Sequence, residues 1–238
     1  MKNFIKKKLQ SLFNFIESNL KLKTINKSPI DIYLEEISKS CYEFFKPHMN
    51  QSSVFLKDND IRHYSISRAF KNESAKSNIF LEFGVYKGDS IKLFAKFLSK
   101  HNLEIYGFDS FEGLEEEWVA ADYNPVGTFS LSGKHLKMPK NVRIIKGKVQ
   151  DTIDSFLKKN GDKKIIFAHM DMDTYIPTKY TLEKIKPFLQ KGSVILFDEL
   201  YGFPNWQLHE YKALKEVFNE KEYRYFAFGT RQASIEIL

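Results

Sequence analysis

The chain has 238 residues, of which 42% are hydrophobic and 15% aromatic, so it can bury one large core or two modest ones and is not a disordered polypeptide. Residues 1–30 hold seven lysines and one glutamate, so +6 of the net charge of +7 lies there, which argues against a basic catalytic face for nucleic acid. One cysteine excludes an internal disulfide, and the chain shows no signal peptide and no membrane-spanning apolar run, so we expect a cytoplasmic protein.

The first two dozen residues predict a basic amphipathic helix. Its apolar face needs a surface to pack against, and three alternatives remain open. These are the rest of the chain, a second subunit in a homodimer, and an anionic membrane surface to which the protein would bind peripherally. The apolar positions recur at helical spacing and are Ile5, Leu9, Leu12, Phe13, Ile16 and Leu20.

Two further helices are predicted, one from about residue 31 to 45, ended by Pro47, and one over 61–70. Residues 1–76 therefore form an N-terminal helical extension. From residue 77 onward, short apolar runs alternate with amphipathic stretches, which is typical of βαβ units and a mainly parallel sheet.

Seven strands and four helices are predicted over residues 77–238. Five alternating units followed by a C-terminal hairpin resemble the seven-stranded methyltransferase variant of the doubly wound α/β fold, in which the last strand is antiparallel. The predicted strands are 79–83, 104–108, 142–146, 164–169, 193–197, 224–228 and 234–238, and the helices lie near 90–98, 149–157, 178–188 and 206–218.

A turn with two glycines follows the first of these strands. A nicotinamide dinucleotide needs three glycines to approach the helix amides, and here Tyr86 occupies the position of the second glycine. S-adenosyl-L-methionine has no phosphate and carries a positive sulfonium, so a turn that begins with an acid suits it better. The contacts expected from this turn are Glu82, Gly84, Val85, Tyr86 and Ser90.

The second and third strands add further cofactor contacts. Asp109 ends the second strand about 20 residues beyond the turn, where an acid holds a ribose diol, and Ser110 follows it. After the third strand, Gln150 is expected at the adenine edge, although the neighbouring Asp151 is equally suited to that place or to a helix cap.

Two acidic segments follow the fourth and fifth strands, and the carboxyl ends of parallel strands meet at one crevice. Asp171, Asp198 and Glu199 are candidate ligands, and their hard oxygen atoms indicate Mg²⁺ or a similar cation; Asp171 is also expected beside the cofactor. Asp173 remains free to act as general base. The alternative is that these acids only cap the following helices, and we expect the adjacent His169 to be a hydrogen-bonded core residue.

A long connection over 113–140 is expected to act as a lid in which Trp118 and Phe129 cover the acceptor. Packing of a loose surface loop would give the same sequence pattern. Tyr201 and Trp206, which follow the second acidic segment, are expected to form a wall for a sugar ring.

The chain resembles the macrocin O-methyltransferase family, whose members use S-adenosylmethionine to methylate sugar hydroxyls. The resemblance implies a magnesium-dependent enzyme in which Asp171, Asp198 and the following residue bind the metal, Asp173 is the base, and the N-terminal helices contribute to a dimer. The family has two consecutive aspartates where this chain has Asp198 and Glu199. The resemblance spans 77–218 and lies in 82–90 (EFGVYKGDS), 107–114 (GFDSFEGL), Trp118, 127–129 (GTF), Gly147, 150–152 (QDT), 169–175 (HMDMDTY) and 197–202 (FDELYG).

The leading hypothesis is therefore O-methylation of a sugar hydroxyl on a glycan, a glycosylated small molecule or an activated sugar. Two alternatives remain open. The lysine-rich N-terminus would suit an RNA methyltransferase, and a cofactor pocket without activity would make the protein a binding module.

Overall fold

The computed structural model describes residues 2–21, 27–71, 78–120, 122–131 and 136–238. Two compact units are present, Met1–Ile37 and Ser38–Leu238. Residues 72–77, where the predicted helical extension meets the predicted domain, and positions 121 and 132–135 of the predicted lid lie outside the described residues.

The first unit contains α1 (Lys2–Lys21) and the beginning of α2 (Pro29–Met49). The N-terminal helix is thus present as predicted. Leu9, Leu12 and Phe13 are 60%, 55% and 66% exposed, and the side chains of the other predicted apolar positions lie outside the described part. The identity of the cover for this face stays a prediction. None of the described helices combines the length and the apolar character that a bilayer crossing requires.

Helix α2 begins with a reciprocal cap and ends later than the sequence predicted. The Asp31 amide donates to Ser28 Oγ at 3.1 Å, and the Ser28 amide donates to Asp31 Oδ2 at 2.8 Å. The expectation that Pro47 ends the helix is wrong, because α2 continues through it to Met49. Proline removes one hydrogen bond in the last turn, and the buried Phe45 holds that end of the helix in the second unit.

The second unit is built on an eight-stranded sheet. Its strands are β1 (Ser53–Val54), β2 (Ile79–Phe83), β3 (Ile105–Asp109), β6 (Val142–Lys146), β7 (Ile165–Met170), β8 (Leu189–Phe197), β9 (Tyr223–Phe228) and β10 (Ala233–Ile237). Their order is β1-β9-β10-β8-β7-β2-β3-β6. Strand β10 is antiparallel to both neighbours, and the other pairs are parallel. The predicted α/β fold with a mainly parallel, doubly wound sheet is confirmed, and β1 is an additional edge strand.

Helices cover both faces of this sheet, which explains why its central strands are continuous apolar runs. Every residue of β2 and β7 is buried. On one face, α3 (Asp58–Phe70) and α4 (Asp89–Ser99) share a buried core with the strands. On the other face, Phe156 packs against the rings of Tyr106 and Phe108. The helices of that second layer are α5 (Val149–Lys159), α6 (Tyr175–Ile185) and α7 (Glu210–Val217).

The C-terminal end of α2 is anchored in an aromatic cluster. Phe45 is fully buried, and its ring centroid lies 5.0 Å from that of Tyr201, 5.3 Å from that of Trp206 and 5.7 Å from that of Phe228. The adjacent Phe44 is 50% exposed. Substitution of Phe45 and of Phe44 therefore compares the stability that a buried ring contributes with the stability that a half-exposed ring contributes.

We expect Phe45→Ala to lower the free energy of unfolding by about 3–5 kcal/mol, because it removes a buried ring and leaves a cavity. Phe44→Ala should cost about 1 kcal/mol, since half of that ring already contacts water. Urea denaturation of both variants measures the difference. Equal losses would show that the cluster does not depend on the buried ring.

The connection between β3 and β6 carries a small hairpin, β4 (Trp118–Val119) and β5 (Tyr123–Asn124). The segment is tied to the domain by two carboxylates. Glu115 Oε2 accepts a hydrogen bond from Gln150 Nε2 at 2.9 Å, and Glu116 Oε1 accepts one from the Ile176 amide at 2.7 Å. These bonds hold the predicted lid against α5 and α6.

Candidate active site

A cavity of about 240 Å³ lies at the carboxyl ends of the parallel strands, where open α/β sheets bind ligands. Its wall combines residues from both predicted halves of the site. The predicted residues that line it are Gly84, Tyr86, Asp109, Ser110, Asp171, Asp173, Asp198 and Glu199, together with Trp118 and Phe129 of the lid.

The glycine-rich turn touches the first acidic segment directly. Gly84 has φ +86°, and a Cβ atom placed on it would lie 1.7 Å from the carbonyl oxygen of Asp171. The Asp171 amide donates to the carbonyl oxygen of Phe83 at 2.8 Å, so the two backbones are fixed side by side. No residue with a side chain fits at this position.

Asp109 holds the conformation of the turn. Its Oδ2 accepts hydrogen bonds from the amides of Val85 and Tyr86, each at 2.7 Å, and its Oδ1 accepts one from the Phe111 amide at 2.6 Å. Each carboxylate oxygen has two lone-pair sites, so these three bonds leave one site, on Oδ1, that can accept a hydrogen bond from a ribose hydroxyl. Asp109 therefore orders the turn and also faces the cavity.

Four predicted cofactor residues do not line the cavity. Glu82 is fully buried and accepts a hydrogen bond from Ser90 Oγ at 2.8 Å. Val85 is 3% exposed and contributes to the core, while the side-chain amide of Gln150 is engaged with Glu115 of the lid. Within the described residues, these four side chains support the cavity wall from behind.

The acidic segments converge as predicted. Asp171, Asp173, Asp198 and Glu199 all line the same cavity. One ligand atom from each of His169, Asp171 and Asp198 lies within 4.8 Å of the others, a separation that a single metal ion can bridge. Glu199 lies outside that group, so its predicted role as third ligand stays a prediction.

Crowding raises the pKa values of three of these acids. Removal from water and the charge of Asp198 raise the pKa of Asp171 well above its ordinary value and that of Asp173 to about 7. Removal from water raises the pKa of Glu199 to about 8, although Arg231 opposes the shift. Burial in this cluster therefore favours the protonated, neutral form of these three acids.

The pKa of Asp198 shifts in the opposite direction because His169 and Arg62 contact its carboxylate. Removal from water alone would raise its pKa, but hydrogen bonds and charges from His169 and Arg62 hold that pKa below the ordinary value. His169 Nε2 lies 3.2 Å from Asp198 Oδ1, and Arg62 Nη2 donates to the same oxygen at 2.7 Å. Gln232 Nε2 also donates to this oxygen.

His169 is a core residue, as expected, and it also belongs to the site. It is fully buried, and its ring packs 5.2 Å from that of Phe94. Its Nδ1 lies 3.6 Å from Glu82 Oε2, and the two residues are paired across β7 and β2. Burial lowers the pKa of the imidazole, but the hydrogen bond to Asp198 and the charge of Glu82 outweigh it and raise that pKa to about 9.

Sequence reasoning missed Arg62, Gln232 and Glu210. The Glu210 side chain is fully buried, and its Oε2 accepts a hydrogen bond from the Glu199 amide at 3.0 Å. Arg62 is 136 positions from Asp198 in the chain, and no local pattern links them. The sequence pattern indicates Glu199, which directly follows Asp198, but it does not indicate the residues that contact Asp198 and Glu199.

The expectation that Tyr201 and Trp206 form a wall for a sugar is wrong. Both side chains are buried in the aromatic cluster around Phe45, and neither lines the cavity. The Tyr201 hydroxyl donates to the carbonyl oxygen of Gly229 at 2.5 Å. Hydrophobic packing against α2, which the sequence pattern did not reveal, determines their position.

Comparisons with solved structures identify the same architecture. The structure titled CalS11, calicheamicin methyltransferase, matches with a TM-score of 0.61 and 22% identity over 89% of this chain and 94% of that chain. An apo structure of CalS11, titled TDP-rhamnose 3'-O-methyltransferase, matches with a TM-score of 0.56 and 22% identity over 89% of this chain and 96% of that chain. The structure of the O-methyltransferase NovP matches with a TM-score of 0.55 and 16% identity over 75% of this chain and 78% of that chain. At these identities the matches establish the fold.

A search of curated proteins found no significant match. A family model described as a methyltransferase domain matches residues 81–200, which include both the glycine-rich turn and the acidic segments. That description is broader than the macrocin O-methyltransferase family, and the finer assignment stays a prediction. The chain belongs to the family of proteins that share this methyltransferase domain.

Proposed function

We propose that this protein transfers a methyl group from S-adenosylmethionine to a hydroxyl group of a sugar, with the help of a divalent cation. The acceptor would be a glycan, a glycosylated small molecule or an activated sugar. The observation that carries this proposal is the single cavity in which the glycine-rich turn and Asp109 face four carboxylates.

The turn supports S-adenosylmethionine as the methyl donor. Gly84, Asp109 and Gly147 line the cavity. Tyr86 adopts φ 47° and stands where a dinucleotide would need a second glycine. Asp109 would bind the ribose diol, and the bonds of Glu82 to Ser90 and of Gln150 to Glu115 would keep the surrounding wall in place.

The acid cluster fits a hard divalent cation such as Mg²⁺. Carboxylate oxygens of Asp171 and Asp198 lie within 4.8 Å of each other, and the charge of Asp198 helps to raise the pKa values of Asp171 and Asp173, a repulsion that a cation would relieve. Asp171 and Asp198 would hold the ion, with Glu199 as a further candidate. We assign His169 to holding Asp198 and not to the metal, because its Nε2 lies 3.2 Å from Asp198 Oδ1 and its Nδ1 faces Glu82. When bound, the ion would acidify and orient the acceptor hydroxyl.

Asp173 is the proposed general base. It lines the cavity on the loop after β7, and desolvation brings the pKa of its carboxyl to about 7, near the value that suits a base at neutral pH. In the reaction its carboxylate takes the proton of the acceptor hydroxyl. S-adenosylmethionine, when bound, would supply its methyl group to this oxygen and leave as S-adenosylhomocysteine.

The lid supports a ring-shaped acceptor. Trp118 and Phe129 line the cavity beside the acids, with ring centroids 6.5 Å apart, and present aromatic surface to it. The titles of the similar structures name sugar and natural-product O-methyltransferases, which agrees with a sugar acceptor. Which hydroxyl reacts depends on contacts beyond these two rings.

We expect calorimetric titration to show saturable binding of S-adenosylmethionine and none of NAD, because Tyr86 blocks the approach of a pyrophosphate. Transfer of labelled methyl groups is then tested with TDP-rhamnose and other nucleotide sugars, with RNA as the competing acceptor. Activity should fall on chelation with EDTA and return with Mg²⁺. Binding of NAD alone would contradict the cofactor assignment, and methylation only of RNA would contradict the acceptor assignment.

A further inference from the structure

Arg62 reaches the acid cluster from a rigid helix. Its Nη2 lies 2.7 Å from Asp198 Oδ1, and the two side chains are 15% and 16% exposed. Helix α3 is fixed by the buried Ile61 and Ile66 and by a 2.5 Å hydrogen bond between the hydroxyls of Ser65 and Ser234. The guanidinium is therefore held in place by packing and is not a mobile surface group.

Among the described residues, three basic side chains pair directly with carboxylates of the cavity, and they are not equivalent. His169 lies between Asp198 and Glu82, with its Nε2 3.2 Å from Asp198 and its Nδ1 3.6 Å from Glu82. Arg231 pairs with Glu199 at 3.4 Å from a position that is 40% exposed. Arg62 makes the shortest of these contacts, 2.7 Å to Asp198, and is more buried than Arg231.

The hydrogen bonds to Asp198 also share one oxygen. Within the described residues, Arg62, His169 and Gln232 all contact Oδ1. This arrangement leaves Oδ2 for a ligand while the carboxylate is held in place. A positive charge this close to a cation site stabilises the free carboxylates and repels an incoming cation.

We propose that Arg62 is a built-in counter-cation of the acid cluster, which stabilises the metal-free pocket and weakens the binding of a divalent cation at Asp198. This inference rests on the metal site of the proposed function. A salt bridge that only fastened α3 to the sheet would change stability equally with and without metal. The counter-cation role predicts instead that loss of the charge changes stability and metal affinity in opposite directions.

The test compares the full-length protein with R62M, which removes the charge, and with R62K, the matched control that keeps it. Mn²⁺ is the probe, and electron paramagnetic resonance measures the free ion. We expect R62M to bind Mn²⁺ about tenfold more tightly than the wild type. Its melting temperature in EDTA should fall, Mg²⁺ should raise that temperature more than in the wild type, and R62K should stay close to the wild type in both measurements.

If R62M binds Mn²⁺ as weakly as the wild type or more weakly, the counter-cation role of Arg62 is overturned, while the metal site of the proposed function stands. Absence of Mn²⁺ binding in all three proteins overturns the metal site of the proposed function as well. If R62M unfolds in EDTA, R62Q replaces it in the Mn²⁺ titration, because glutamine also removes the charge but keeps a hydrogen-bonding side chain. Tighter Mn²⁺ binding by R62Q than by R62K supports the inference, and equal or weaker binding overturns it.

Discussion

Gly84→Ala is expected to lower the free energy of unfolding by more than about 4 kcal/mol, a loss reached by few single substitutions. The new Cβ would lie 1.7 Å from the carbonyl oxygen of Asp171 and 2.6 Å from its carbonyl carbon. These are backbone atoms, and they cannot retreat without breaking the 2.8 Å bond between the Asp171 amide and Phe83. Urea denaturation and the melting temperature measure the loss.

Gly127→Ala is the matched control for this substitution. Gly127 has φ +85°, almost the same as the +86° of Gly84, but a Cβ there meets no atom within 4 Å. It therefore carries only the backbone cost of the left-handed conformation, about 1–2 kcal/mol. If the two variants lost equal stability, the contact with Asp171 would not be the reason that position 84 requires glycine.

The same contact shows which part of the fold was readable from the sequence. The glycine turn follows from local pattern, because an apolar strand, a turn and an amphipathic helix succeed one another around Gly84 and Ile91. Its contact with Asp171 joins residues 87 positions apart, and only the pairing of β2 with β7 brings them together. Local propensity predicts elements, while tertiary packing determines what they touch.

The central strands of the sheet were predicted well because they are buried on both faces. The apolar runs of β2 and β7 are five and six residues long, and this short length favours a strand over a helix. The two-residue strands β1, β4 and β5 were not predicted, since two residues carry no periodicity. The predicted helix over 206–218 is divided into a 3₁₀ turn (Trp206–Leu208) and α7, because the ring of Trp206 packs against Phe45.

The candidate site divides in the same way. Its acids were predictable because they directly follow strand ends, and parallel strands bring those ends together. Arg62 and Gln232 were not, since they belong to elements whose position over Asp198 depends on packing. Glu82 was placed in the cavity by the sequence, but its strand is buried on both faces and its side chain points to Ser90 and His169.

Asp173→Asn is expected to lower kcat by about 10²–10⁴-fold, the range for loss of a general base, while the affinity for S-adenosylmethionine stays unchanged. Asparagine is the appropriate replacement because Asp173 has φ +60°. Asparagine adopts this left-handed conformation readily, whereas alanine would add backbone strain and confuse a chemical effect with a structural one. Steady-state methyl transfer gives kcat, and calorimetric titration gives the affinity.

Asp162→Asn is the control, since it makes the same chemical change at an exposed position outside the cavity wall. We expect it to leave kcat, cofactor affinity and melting temperature at their wild-type values. The amide of Asp173→Asn can still accept a hydrogen bond from the acceptor, but it cannot take its proton, so the two variants separate binding from proton transfer. If Asp173→Asn kept wild-type kcat, the proton would have to leave by another of the cavity's carboxylates, and Glu199 would be the next residue to test.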